Sequence, residues 1–305
     1  MPGMARITVP EAEELLDVRL DVLDHGFVRL VDYLGGDARI VQSARVSYGD
    51  GTKTVREDRA LIDYLLRHQH TSPFEQVILT FHVKMPIFVA RQWIRHRTAR
   101  LNEISGRYSV MRDEFYLPRP HEVRFQGEHD KQGSSAHEVP EHLRQQVIDA
   151  LRQSQGEGFR QYEGLLEGGI ARELARVNLP LSLYTEMYWQ IDLNNLFHFL
   201  RLRMDWHAQY EIRVYGDAIA RCVRAVAPAA FEAFEEHVLH GRTLSRSELA
   251  VVRAALDPER LEAALGASGL RASRRRELLA KLGVSDGDAE AVAVVDNGGV
   301  GESVA

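Results

Sequence analysis

The stretch HTSPFEQVILTFHVKMPIFVARQWIRHRTARLNEISGRYS, residues 70–109, holds a passage from strand to helix and ends in a run of cations. In VILTFHVK, residues Val77, Leu79, Phe81 and Val83 alternate with Ile78, Thr80, His82 and Lys84, the period of a strand with one buried face. Upstream, REDRALIDYLLRHQH (residues 56–70) brings Leu61, Tyr64 and Leu65 round at helical spacing, so a helix leads into that strand. Downstream, Pro86 suits the first turn of a new helix, read over residues 87–97, because its missing N–H costs nothing there. On such a helix Arg91 and Arg95 share a face, as do Gln92 and His96.

Working outward, residues 27–34 (FVRLVDYL) read as an edge or entry strand and residues 38–47 as a short helix. Residues 142–169 and 171–178 read as helices, 184–191 (YTEMYWQI) as a strand, and 193–226 as one or two long helices. Strands and helices do not alternate regularly, and no G-x-G-x-x-G follows a strand. The expected class is α+β: a mixed, largely antiparallel sheet packed with helices, non-Rossmann, with a long helical C-terminal part. Residues 1–243 are expected to form the main domain. From residue 244 the composition turns Ala/Leu/Arg/Glu-rich, with breaks at Asp257-Pro258 and at glycines, which predicts a small helical appendage over 244–284. Residues 285–305 carry acids and glycines without Lys, Arg or an aromatic residue, the composition of a disordered tail.

The chain has 305 residues, 45% of them hydrophobic, enough for a full core. No run approaches the roughly 18 apolar residues of a membrane helix, and the first residues lack a basic-then-apolar leader, so a cytoplasmic protein is expected. The lone Cys222 excludes an intrachain disulfide and a multi-cysteine zinc site. His68 and His70, or His70 with His82, find no third ligand at suitable spacing and H-E-x-x-H is absent, so no metal is expected. A formal charge of −6 disfavours bulk coating of nucleic acid, and any basic cluster becomes a local anion site. That also disfavours reading the consecutive Arg274 to Arg276 as part of a nucleic-acid track.

Between Arg91 and Arg107 stand five arginines, one histidine and one glutamate within seventeen positions. Arginine, rather than lysine, provides planar two-point recognition of phosphate or carboxylate. Asn102, Glu103, Ser105, Gly106 and Arg107 add donors, an acid and a glycine that lets backbone approach an anion. The plain alternative is a solvated helix end with surface ion pairs. Trp93, Asn102 and Ser105-Gly106-Arg107, interleaved with the arginines, favour a ligand site.

Arg95-His96-Arg97, seven residues, then Ser105 matches the R-H-R-x7-S signature of flavin-dependent thymidylate synthases, and residues 70–109 resemble that family throughout. Residues 171–216 resemble it too, including L-R-x-D-x-H-A-Q-x-E-I from Leu202. The resemblance covers roughly residues 20 to 240. It implies methylation of dUMP to dTMP, with 5,10-methylenetetrahydrofolate as carbon donor and NADPH-reduced FAD as hydride source, in a homotetramer whose sites are shared between subunits. By position it implies a dUMP site lined by Gln92, Trp93, Ile94, Arg95, Glu103, Ile104, Ser105, Gly106, Arg107, Arg176 and Arg203. Ser105 to Arg107 would face the phosphate, and Arg203 would be the catalytic cation near uracil N3 and O4. FAD would meet Ser72, Arg95, His96, Arg97, Glu103, Asp192, Leu193, Asn194 and His198, and folate would meet His70. Asp192 and His198 stand where relatives carry asparagine.

Other residues read as structure. Cys222, at helical spacing with Ile219, is a packed helix residue, so no cysteine nucleophile is expected. Ser105 lacks a free neighbouring base. Asp205 and His207 read as a hydrogen-bonded polar anchor, and the spacings of Trp93 and Trp189 read as core. A flavin-free nucleotide-binding enzyme fits the arginines as well, and bound flavin separates the two.

Overall fold

Leu79, Phe81 and Val83 expose no surface, and the alternating segment that carries them lies at the centre of the sheet. The computed structural model describes residues 6–47, 55–127 and 134–284. Strands β1 (Arg19–Val22), β2 (Gly26–Leu34), β3 (Ile78–Pro86), β4 (Arg100–Glu103) and β7 (Tyr184–Asp192) form one sheet in the order β1-β2-β3-β7-β4, antiparallel at each pairing. A separate hairpin pairs β5 (Arg124–Gln126) with β6 (Ser134–Glu138). This is the α+β, non-Rossmann class that the sequence predicts.

β3 and β7 pair without a break from Ile78↔Asp192 to Pro86↔Tyr184, so Met187, Trp189 and Ile191 share the buried face of Val83, Phe81 and Leu79. The same core takes Phe199 and Leu200 from α7 (Leu193–Arg203), Tyr215 and Val223 from α8 (Tyr210–Val226), and Phe231 and Phe234 from α9 (Pro228–Phe234). In α8 the buried residues Ile212, Tyr215, Ile219 and Val223 recur every three or four positions, the stripe of an amphipathic helix. Each such side chain contributes about 1.5–3 kcal/mol by leaving water. The remaining helices of this part are α1 (Pro10–Glu13), α2 (Asp37–Ala44), α3 (Val55–Arg67), α4 (Ile87–Trp93), α5 (Glu141–Glu167) and α6 (Arg172–Ala175). Phe159 and Tyr162 of α5 join Phe115, Ala175 and Leu183 in a smaller second cluster.

Several sequence expectations change. β2 has a partner on each side, and the edges are β1 and β4, which periodicity does not reveal because each is four residues long. Residues 193–226 are two helices, α7 and α8, broken at 204–209. Pro86 is the last residue of β3 and the extended N-cap of α4, with φ −62° and ψ 146°. α4 stops at Trp93 rather than at residue 97: Ile94 N–H reaches Ala90 O at 3.0 Å, and His96 N–H then takes Trp93 O at 3.0 Å, closing a tighter turn. Arg95, His96 and Arg97 therefore follow the helix instead of sharing its faces.

The chain divides into two units, Met1–Gly241 and Arg242–Ala305. The second contains α10 (Arg246–Ala255), α11 (Pro258–Ala267) and α12 (Ala272–Leu282). Ser245 and Glu248 form a capping box on α10, Asp257 caps α11, and Gly283 ends α12 at φ +69°. Arg253 Nε donates to Leu282 O at 2.6 Å, tying α10 to the end of α12. The tail expected over residues 285–305 lies outside the described residues. Among the described residues no helix is long and apolar enough to cross a membrane.

Candidate active site

The early end of α4 brings three elements together. Arg203, in the last turn of α7, donates from Nε to His96 Nε2 at 3.0 Å and from Nη2 to Gln92 O at 3.1 Å. The Gln92 side-chain amide donates in turn to Gln209 Oε1 at 2.5 Å, just before α8. Burial lowers Arg203 from the usual arginine range, yet a guanidinium remains a cation in any protein setting. His96 is 9% exposed. Burial first, then the Arg203 cation and His198, push its pKa down to about 4, so the ring is neutral near pH 7. A guanidinium only donates, so Nε2 of His96 is the acceptor and the ring proton sits on Nδ1.

A second group forms around the loop after β4. Buried Thr185 on β7 donates to Glu103 Oε1 at 2.6 Å. Tyr108 and Ser109 N–H groups bond Ser105 O at 3.0 and 3.1 Å, and the Arg107 N–H reaches Ser105 Oγ at 3.3 Å. Gly106 is buried against Arg176: a Cβ there would lie 3.0 Å from Arg176 Cδ and from Met111 Sδ. Arg107 Nε pairs with Glu173 Oε2 at 3.1 Å, and Arg172 Nη1 donates to Tyr108 O at 2.8 Å. α6 and Arg176 thus grip the Ser105–Arg107 loop. Ile94 is half-buried and Ile104 is exposed. Among the described residues no hydrogen bond joins this group to the one around Arg203.

At the start of α7, Asp192 caps the helix, accepting Asn195 N–H at 2.9 Å and Asn195 Nδ2 at 2.6 Å. Leu193 N–H bonds Val77 O at 2.8 Å, and Phe74 lies 6.3 Å from Phe197, which sets the turn after Ser72 beside this helix start. Ser72 and His198 are exposed and Asn194 is half-buried. Leu193, by contrast, is fully buried, leaving its backbone as the part that could face a ligand. Arg95 and Arg97 are exposed and make no hydrogen bond or ion pair among the described residues, leaving two cations open to an anion. His70 is exposed and stacks on Tyr64 at 6.0 Å.

Trp93 is fully buried, with Phe199, Trp189 and Tyr215 at 4.8, 5.2 and 5.9 Å, so its ring belongs to the core and not to the wall of the site. Cys222 is 1% exposed and burial pushes its thiol up to about 12. It is protonated and inaccessible near pH 7. Ser105 bonds no carboxylate or imidazole among the described residues. Asp205 and His207 pair locally at 2.7 Å on an exposed link. Sequence reasoning left Gln209, Thr185 and Glu173 without roles. Gln209 lies within the quoted 202–212 segment, whereas nothing in the sequence singles out the other two. A cavity of about 240 Å³ between residues 21–24, residues 116–122 and α8 contains none of the expected site residues.

Comparisons with known proteins bear on these groups. Residues 29–229 match the family model described as thymidylate synthase complementing protein. A protein of Treponema denticola named flavin-dependent thymidylate synthase is 62% identical over 238 residues, covering 78% of this chain and 90% of that protein. One of the same name from Thermus thermophilus is 57% identical over 263 residues, covering 86% of this chain and 95% of its own length. A match of that length must run into α11, so the appendage is at least partly shared with that relative. Among solved structures, the UMP/dUMP methylase PolB from Streptomyces cacaoi, bound with 5-Br dUMP, aligns with a TM-score of 0.66 at 32% identity, covering 73% of this chain and 100% of that one.

Proposed function

This chain belongs to the thymidylate synthase complementing protein family, whose relatives are named flavin-dependent thymidylate synthases, and from that premise we propose that it methylates dUMP to dTMP. 5,10-Methylenetetrahydrofolate would provide the carbon, and bound FAD, reduced by NADPH, would supply the hydride that turns methylene into methyl. The observation that carries the reading is the guanidinium of Arg203, held by His96 and Gln92 O with no carboxylate bonded to it among the described residues.

The residues suit these ligands. Gly106 leaves room for Arg176 beside the Ser105–Arg107 loop, and together they offer cations and backbone donors to the dUMP phosphate. Arg203 addresses uracil N3 and O4, where its cation stabilises negative charge as C5 becomes nucleophilic. Glu103, oriented by Thr185, would serve both the nucleotide and the flavin. Arg95 and Arg97, without an acid partner among the described residues, suit the FAD pyrophosphate, and Ser72, His96, Asp192 to Asn194 and His198 complete the flavin set. His70 is assigned to the folate. Cys222 takes no part, because its thiol is buried and protonated.

A homotetramer with shared sites accounts for the two unlinked nucleotide-binding groups. Tyr108, Leu174, Val177 and Leu181, 75, 63, 73 and 60% exposed around the Ser105–Arg107 loop and α6, supply apolar surface for another subunit. Nucleotide and folate substrates and a single buried thiol suit the cytoplasm. The test is the visible spectrum of the protein with FAD, followed through NADPH reduction and a dTMP assay with methylenetetrahydrofolate and dUMP. Flavin that binds, bleaches and yields dTMP supports the reading; absence of flavin binding sinks it.

A further inference from the structure

We propose that His96 is a positioning residue that works through Arg203: its Nε2 accepts the Arg203 Nε–H and fixes the direction in which that guanidinium meets the uracil ring. The inference rests on the function proposed above, because the task of Arg203 at the nucleotide gives the hydrogen bond its consequence.

Three observations carry it. First, the acceptors on Arg203 are an imidazole nitrogen at 3.0 Å and a backbone carbonyl at 3.1 Å, and neither is an anion. A carboxylate at either position would orient the guanidinium but offset its charge. Imidazole and carbonyl orient it and leave the cation whole for charge that develops on the substrate. Second, both acceptors exist because α4 ends early. His96 N–H bonds Trp93 O, so Gln92 O loses the helical partner it would otherwise have at residue 96 and is free to accept from Arg203. The same turn swings the His96 ring toward α7. Third, the ring is clamped: Phe199 meets it edge to face at 4.8 Å and His198 at 5.8 Å. The charged or titratable groups facing it are Arg203 and His198, both from α7, with Arg95 and Arg97 as chain neighbours. No carboxylate bonds it among the described residues. That setting keeps the ring neutral, consistent with its lowered pKa, and a neutral ring is required, since an imidazolium would turn an N–H against the arginine's own.

The test is a double-mutant cycle read by dUMP affinity, measured calorimetrically on the FAD-loaded protein, with His96→Phe, His96→Gln and Arg203→Ala. His96→Phe keeps a planar ring without an acceptor; His96→Gln returns a carbonyl acceptor. Losing a hydrogen bond to a charged group predicts dUMP binding weaker by about 10- to 100-fold in His96→Phe. His96→Gln should recover most of that loss, and His96→Phe should add nothing in the Arg203→Ala background. A His96→Phe protein that binds dUMP as the wild type does, or a full His96→Phe effect that persists without Arg203, overturns the proposal. If thermal unfolding shows that His96→Phe does not fold, His96→Met takes its place in the same cycle. Wild-type protein that binds no dUMP overturns the functional reading along with this one, whereas tight wild-type binding with an additive cycle overturns this one alone.

Discussion

Gly106→Ala should separate the nucleotide site from the fold. The added Cβ would stand 3.0 Å from Arg176 Cδ and Met111 Sδ and 3.2 Å from Arg176 Nη1. Carbon atoms in good contact sit about 3.5–4.0 Å apart, so the arginine arm must withdraw by roughly half an ångström. The obstructing atoms are all on flexible side chains, and Gly106 does not occupy the left-handed region, so alanine's backbone is tolerated. The fold should then lose about 1 kcal/mol, the low end of the usual cost of overpacking. Function should lose more. If Arg176 donates to the dUMP phosphate, displacing it forfeits much of a charge-assisted bond worth about 1.5–3 kcal/mol, or about a 10- to 100-fold rise in the KM for dUMP. The assay pairs thermal unfolding with dTMP formation over a dUMP titration, with kcat at saturation expected to fall little. Gly156→Ala is the control: nothing lies within 4 Å of its Cβ, and in mid-helix it should stabilise by about 0.5–1 kcal/mol. A folded Gly106→Ala enzyme with unchanged KM would remove Arg176 from the phosphate pocket.

Arg203→Ala should fold and keep flavin while losing dTMP formation, and Arg203→Lys should not restore it, since one ammonium cannot reproduce the planar fork that meets both His96 and Gln92 O; normal turnover in either would take Arg203 out of the mechanism. Cys222→Ala should keep full activity and lose about 1 kcal/mol of stability from a small core void, read by urea unfolding; inactivity in a stably folded variant would revive a thiol mechanism. His96 also predicts acid sensitivity. Its folded pKa of about 4 lies below the ordinary histidine value of 6.5, so the unfolded chain takes the proton first. Its contribution is present above pH 6.5 and is lost as pH falls toward 4, by about 3 kcal/mol at most and by less where solvent screens the ring. Urea titrations across that window should show a steeper loss in the wild type than in His96→Gln, and identical slopes would refute the lowered pKa.

How much of this was legible in the sequence depends on whether the deciding contact is local. β3 could be read because one face of Val77 to Val83 is buried and the pleat writes burial as alternation. The cap at the start of the helix from Leu193 is likewise local, supplied by Asp192 one residue away. β4 could not be read, because all four of its residues are exposed and it pairs only with β7, which leaves no periodic trace. The end of α4 was misread for a related reason. Residues 94–97 keep a pattern compatible with a helix, while the bonds around its end come from Arg203, 107 positions from His96, and from Gln209, 117 positions from Gln92.

The candidate site shows the same division. The run from Arg91 to Arg107 reads as an anion site by composition, and Arg95 to Ser105 within it as a family by spacing, but composition cannot say which cations are spent. Arg107 is partly occupied by Glu173, whereas Arg95 and Arg97 have no acid partner among the described residues and Arg203 is oriented by neutral acceptors alone. An arginine in a salt bridge offers a ligand less than one held by an imidazole or a carbonyl. On the proposed function, the pairing state of each arginine favours Arg203, outside the densest part of the motif, over Arg107 inside it.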